Sequence, residues 1–217
     1  MKVYFISGLG ADRRVFKYIR LPENCEPVYL DWIKPLPQES LPEYARRMAS
    51  LINQQEPYSL IGLSLGGMIA AEISKELQPR KTVLISTAPS SDQIPFYFKW
   101  VYTVRAHKLV PVSVLKSGSI VKRFFTAESD SDKALIKKII WESDPSFIHW
   151  AVDAILRWKT NSLPANYVHI HGTRDELLPF RFVRPSHVIR KAGHMMVMTH
   201  AKEINQILEE IFSREKG

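Results

Sequence analysis

The sequence predicts an α/β fold built on a mostly parallel sheet of about six strands, flanked by helices and interrupted by a helical insertion. Three observations carry this. Short apolar runs alternate with segments of helical period, as strands joined by helical crossovers do. The alternation stops between Ala88 and Asn161 and resumes after it. The 217 residues are enough for one full core, with 45% hydrophobic and 24% charged residues, close to the averages of globular domains.

Val3 to Ile6 is the first apolar run, ending at Gly8 and Gly10; Glu26 to Leu30 is the second, after a turn around Pro22 to Cys25. Both read as buried strands. Ser40-Leu41-Pro42-Glu43 has the capping-box spacing, and Leu41, Tyr44, Ala45, Met48, Leu51 and Ile52 follow at helical intervals, predicting a helix of about a dozen residues. Tyr58 to Gly62 is the next strand, Met68 to Leu77 a helix closed by Pro79, and Thr82 to Ser86 a further strand. Tyr167 to Ile170 and Val188-Ile189 are two late strands. The last helix places Ile204, Ile207, Leu208, Ile211 and Phe212 on one face.

The intervening stretch is helix-like and aromatic, with Phe96, Tyr97, Phe98, Trp100 and Tyr102, then Phe124, Phe125, Trp141, Phe147, Trp150 and Trp158. Asp144-Pro145 is an N-cap followed by proline at the first helical position. The domain reading is therefore a core of residues 1–88 and 162–217, with 89–161 as a helical cap.

Composition excludes little beyond this. No run approaches the ~18 apolar residues needed to span a bilayer. The first residues, Met1 to Gly8, read as a strand rather than a signal segment. Cys25 is the only cysteine, so neither an internal disulfide nor a thiolate metal site can form, which fits a reducing compartment and makes the cytoplasm the expected location. The net charge of +8 comes without a long Lys/Arg block, so no nucleic-acid partner is expected. Nothing in the sequence fixes the oligomeric state.

Chemistry concentrates in three places. Gly62-Leu63-Ser64-Leu65-Gly66 matches G-x-S-x-G between a strand and a helix, with roughly 0.03 chance occurrences expected in a chain this long, and the strand-to-helix setting adds specificity. A serine there sits on a sharp turn above the sheet, at the positive end of the helix that follows. Asp175 lies in the loop after the strand ending at Ile170, at the edge where open α/β sheets place their sites. His194, in Ala192-Gly193-His194, follows the last strand. A neutral imidazole there can take the Ser64 proton while a carboxylate fixes its tautomer. Taken singly, Asp175 also reads as a loop cap and His194 as a core-edge histidine; together, the order Ser, Asp, His is the one this fold uses. Asp92 is the alternative acid. Glu176, beside Asp175, is expected to point elsewhere. His169 and His171 read as packing or loop-bonding residues, and no metal is expected.

On these residues the chain resembles the α/β-hydrolase superfamily, among its small lipase- and esterase-like enzymes, over residues 1 to about 88 and about 162 to 217. The resemblance implies a triad of Ser64, Asp175 and His194 without cofactor. It also implies an oxyanion hole from the backbone N–H groups of Leu65 and Leu9. Two departures stand out: Ser7-Gly8 replaces the His-Gly of many relatives, and the chain begins at what resembles the family's third strand. The expected reaction is acyl transfer on a small carboxylic ester or thioester. The aromatic insertion suggests a small-molecule substrate with an apolar acyl or alcohol group, although the same rings would also serve to bury the cap. Lys116, Lys122, Arg123, Lys137 and Lys138 would suit an anionic substrate such as an acyl thioester. The alternatives are a carbon–carbon bond hydrolase or cofactor-free lyase on the same fold, and a non-catalytic small-ligand receptor.

Overall fold

A computed structural model describes residues 1–98 and 129–213. Trp100, Tyr102, Phe124, Phe125, Lys116, Lys122 and Arg123 lie outside the described residues.

Among the described residues six strands form one sheet: β1 (Lys2–Ile6), β2 (Glu26–Leu30), β3 (Tyr58–Leu63), β4 (Thr82–Ile85), β5 (Tyr167–Gly172) and β6 (His187–Ile189). Their order is β2-β1-β3-β4-β5-β6, and every neighbouring pair runs parallel. The register sets Ile6 beside Gly62, Leu63 beside Ile85 and Gly172 beside Ile189. The loops leaving the strands therefore gather along one edge, where chemistry from distant parts of the chain can meet.

Alternate residues of the strands feed two cores. On one face Val3, Phe5, Ile61, Leu63, Val83, Ile85 and Ile170 meet Ile204, Leu208 and Phe212 of the closing helix α6 (Ala201–Ser213) and Ile136, Ile139 and Ile140 of α3 (Asp130–Glu142). On the other, Tyr4, Ile6, Leu60 and Leu84 pack on α1 (Leu41–Ala49), α2 (Leu65–Leu77) and the Phe147–Trp158 side of α4 (Pro145–Arg157). A short helix α5 (Met196–Thr199) precedes α6.

Local chemistry sets the helix starts as the sequence predicts. Ser40 and Glu43 form the reciprocal capping box, and Asp144 caps α4 with Pro145 behind it. Two expectations need correction. β2 is an edge strand, exposed at Glu26 and Pro27 and half-buried beyond, because among the described strands β1 alone flanks it. Helix α1 stops at Ala49, since the amides of Ser50, Leu51 and Ile52 reach back only three residues and Ser50 Oγ donates to the Arg47 carbonyl. Leu51 is left exposed while Ile52 still packs in the core.

The helical pair α3–α4 is fastened to the sheet domain by side chains. Asp132 at the start of α3 accepts from Lys17 and Tyr18, and Glu142 at its end accepts from Arg14. In α4, Phe147 and Trp150 pack against Trp32 and Tyr44, with Tyr44 and Trp150 centroids 4.2 Å apart. Trp150 Nε1 donates to the Glu39 carbonyl and Trp158 Nε1 to Glu72. No described helix is long and apolar enough to cross a membrane.

Candidate active site

Ser64 stands between β3 and α2 with φ 53° and ψ −118°, a strained conformation for a residue with a Cβ. The surrounding contacts enforce it. The Ser64 amide donates to the Ile85 carbonyl of β4 at 2.9 Å, and its carbonyl accepts from the Gly67 and Met68 amides and the Thr87 hydroxyl. Strand and helix approach so closely that side chains are excluded on both sides of the turn. A Cβ on Gly62 would lie 2.4 Å from the Gly66 carbonyl oxygen, and one on Gly66 2.2 Å from the carbonyl oxygens of Ile6 and Ser7.

Asp175 follows β5 by three residues and is buried. Its Oδ1 accepts from the Leu177 and Leu178 amides, both at 2.9 Å, and its Oδ2 lies 2.8 Å from His194 Nδ1. His194 Nε2 is 2.9 Å from Ser64 Oγ. Because a carboxylate can only accept, Nδ1 carries the ring proton and Nε2 is left to accept the Ser64 hydroxyl proton. Burial alone would raise the Asp175 carboxyl, but adjacent His194, then His171 and the Leu178 amide, hold it below the ordinary carboxylate range. The chain thus brings three residues, up to 130 positions apart, into one hydrogen-bonded line.

The loop after β1 closes on the same spot. A Cβ built on Gly8 would lie 3.4 Å from Ser64 Cβ, so the backbone that carries Leu9 runs beside the serine, while Leu65 opens α2 directly after it. Ser7 Oγ donates to the Ala11 carbonyl at 2.8 Å, the Ala11 amide to the Gly8 carbonyl and Trp32 Nε1 to the Ala11 carbonyl. The serine at position 7 thereby supplies a bond that ties the loop from within.

The other sequence candidates fall outside this line. Asp92 is exposed and accepts from Ser90 Oγ, and Glu176 is exposed beside Asp175. Lys137 and Lys138 lie on the exposed side of α3, Lys138 facing Glu142 at 3.8 Å. Among the described aromatics, Phe147, Trp150 and Trp158 serve the core, which favours the packing role over pocket lining for these three. His169 is wholly buried with its ring toward the Thr87 backbone, whereas His171 bonds the Asp175 loop. Sequence reasoning missed Thr87. Its signal was faint: a hydroxyl residue two positions past β4, beside the glycine pair that opens α2. Among the described residues no group of three or more His, Cys, Asp or Glu is placed to hold a metal ion.

A family model described as "Alpha/beta hydrolase family" matches residues 3–207. Solved structures similar to this chain include an esterase from Exiguobacterium antarcticum, with 19% identity over 100% of this chain and 92% of that one and a TM-score of 0.74. A bromoperoxidase from Bacillus anthracis shares 18% identity over 99% and 92%, with a TM-score of 0.75. MenH from S. aureus shares 14% over 100% and 95%, with a TM-score of 0.76. At such identities the likeness speaks for the fold. No curated protein matches this chain.

Proposed function

The chain belongs to the alpha/beta hydrolase family, and on that premise we propose that it is a serine hydrolase cleaving a small carboxylic ester or thioester through an acyl-enzyme. The observation that carries the reading is the line Ser64 Oγ, His194 Nε2, His194 Nδ1, Asp175 Oδ2, with links of 2.9 and 2.8 Å. In this reading Ser64 attacks the substrate carbonyl as His194 takes its proton. Asp175 holds the imidazole in the required tautomer and offsets the positive charge it gains. The amides of Leu9 and Leu65 hold the oxyanion, supported by the close approach of the loop after β1 to Ser64 and by the N-terminal place of Leu65 in α2. His194 then returns the proton to the leaving group, and water releases the acyl chain by the same steps in reverse.

No cofactor or metal takes part in this scheme. Residues 89–161 form its cap, with α3 and α4 as a layer fixed against the loops after β1 and β2. The substrate carries an apolar acyl or alcohol group, and the cytoplasm is the proposed compartment, in keeping with a single buried thiol.

Hydrolysis of nitrophenyl esters graded by acyl length tests the reading. The wild type should turn over short and medium acyl esters, and Ser64→Ala should lose about 10⁶-fold in kcat while remaining folded. Equal turnover by the folded variant would remove Ser64 from the mechanism.

A further inference from the structure

Strand β5 carries His169 and His171 on one face, their rings edge to face with centroids 5.3 Å apart, and both are wholly buried. Their surroundings differ. His171 Nε2 faces two oxygens, the Leu178 carbonyl at 2.8 Å and Asp175 Oδ2 at 3.4 Å, whereas its Nδ1 has no partner among the described residues. Both oxygens only accept, so Nε2 carries the proton. Leu178 is held from two sides: its amide donates to Asp175 Oδ1 and its carbonyl accepts from His171. One imidazole therefore closes the loop carrying the acid back onto the strand it leaves.

We propose that His171 is a positioning residue for the Asp175–His194 pair. It clamps Leu178 so that the carboxylate keeps its orientation, and it turns an N–H toward Asp175 Oδ2 that weakens the negative field felt by His194. The inference rests on the serine-hydrolase reading. At 3.4 Å the contact with Oδ2 acts through charge more than through a hydrogen bond, and in a buried site such contacts count for more than in water. The groups that bear on the ring are Asp175, His194 and, on its own strand, His169; Tyr97 is close enough to feel Asp175, with Arg181 beside it. Burial keeps His171 below the ordinary imidazole value against the pull of Asp175, so it stays neutral near pH 7 and does not itself titrate there.

Glutamine and asparagine separate this role from a merely structural one. A glutamine amide nitrogen overlays the Nε2 position, whereas an asparagine amide nitrogen overlays Nδ1 and cannot reach the Leu178 carbonyl. The rate at which a fluorophosphonate modifies Ser64 is measured from pH 5 to 9 in the wild type, His171→Gln, His171→Asn and His171→Met. His171→Gln should stay within about threefold of the wild type with the same midpoint. Loss of the donor in the Asn and Met variants should misplace the acid and slow labelling roughly 10–100-fold. It should also move the acid limb to higher pH, because an unscreened Asp175 favours the protonated imidazole. Equal rates and midpoints for Gln and Asn would overturn the proposal, and that pair decides it even if His171→Met does not fold. A folded wild type that takes no label at any pH would instead remove the reading beneath it, and this inference with it.

Discussion

The turn bearing Ser64 and the helical pair α3–α4 both stand at the carboxyl edge of the sheet, yet different forces hold them. The turn is fixed by backbone: Gly62 and Gly66 meet carbonyl oxygens so closely that a single added carbon has nowhere to go, and the Ser64 amide and carbonyl are bonded to β4, α2 and Thr87. The helices are fixed by side chains, through the contacts of Asp132 and Glu142 with residues 14–18 and the ring cluster of Trp32, Tyr44, Phe147 and Trp150. Backbone fit fails abruptly, because no rotamer change relieves it. A side-chain layer loosens by increments. In the proposed reading, the turn that places the Ser64 hydroxyl is built the first way, and the proposed cap is built the second.

Substitutions can break this contrast. Gly66→Ala should have the largest effect, costing more than about 3 kcal/mol or abolishing folding, since Ile6 and Ser7 carbonyls cannot withdraw without tearing β1 from β3; thermal or urea unfolding measures it. Phe147→Ala should cost about 2–4 kcal/mol by opening a cavity among Trp32, Tyr44 and Trp150, and should leave the Ser64–His194–Asp175 hydrogen bonds in place. A Phe147→Ala loss as abrupt as that of Gly66→Ala would erase the distinction.

A pH experiment sharpens it on the sheet side. Burial, with His171 close by, pushes His169 from its ordinary 6.5 down to about 3, so the folded chain refuses a proton that the unfolded chain accepts. The stability this represents is intact above pH 6.5 and is lost as pH falls from there toward 3. His169→Leu should change stability little at pH 7 and recover on the order of a few kcal/mol at pH 4, read from urea midpoints across that range. An unchanged acid transition would show that His169 is not the group being charged. The smallest effect belongs to Arg14→Ala: its bonds to Asp12 and Glu142 lie at a partly exposed surface, so the loss should be under about 1 kcal/mol and shrink further in salt.

The same contrast explains what was legible in the sequence. The Ser40 and Asp144 caps, and the candidate site residues Ser64, Asp175 and His194 in that chain order, follow from patterns a few residues long, and the fold brings the three candidates together through its parallel register. Thr87 was not legible beside the candidate serine, and His171 was legible as a packing or loop-bonding residue but not as a neighbour of the candidate acid. Their parts depend on which carbonyl each side chain meets, the Ser64 carbonyl and the Leu178 carbonyl, and periodicity carries no trace of that. The edge position of β2 escaped for a similar reason, since Glu26–Leu30 reads like any short apolar run until its place at the end of the strand order, with β1 its one neighbour among the described strands, is seen. The aromatic residues of the insertion were visible, but core packing and substrate contact draw on the same residue types, so the sequence alone could not assign them.

The central claim is that Ser64 is an activated nucleophile, and intact mass after exposure to a fluorophosphonate tests it most directly, because the probe reports activation without assuming a substrate. A single adduct on the folded wild type and none on Ser64→Ala is the predicted result. A folded wild type that stays unmodified, or an adduct that persists in Ser64→Ala, would contradict it.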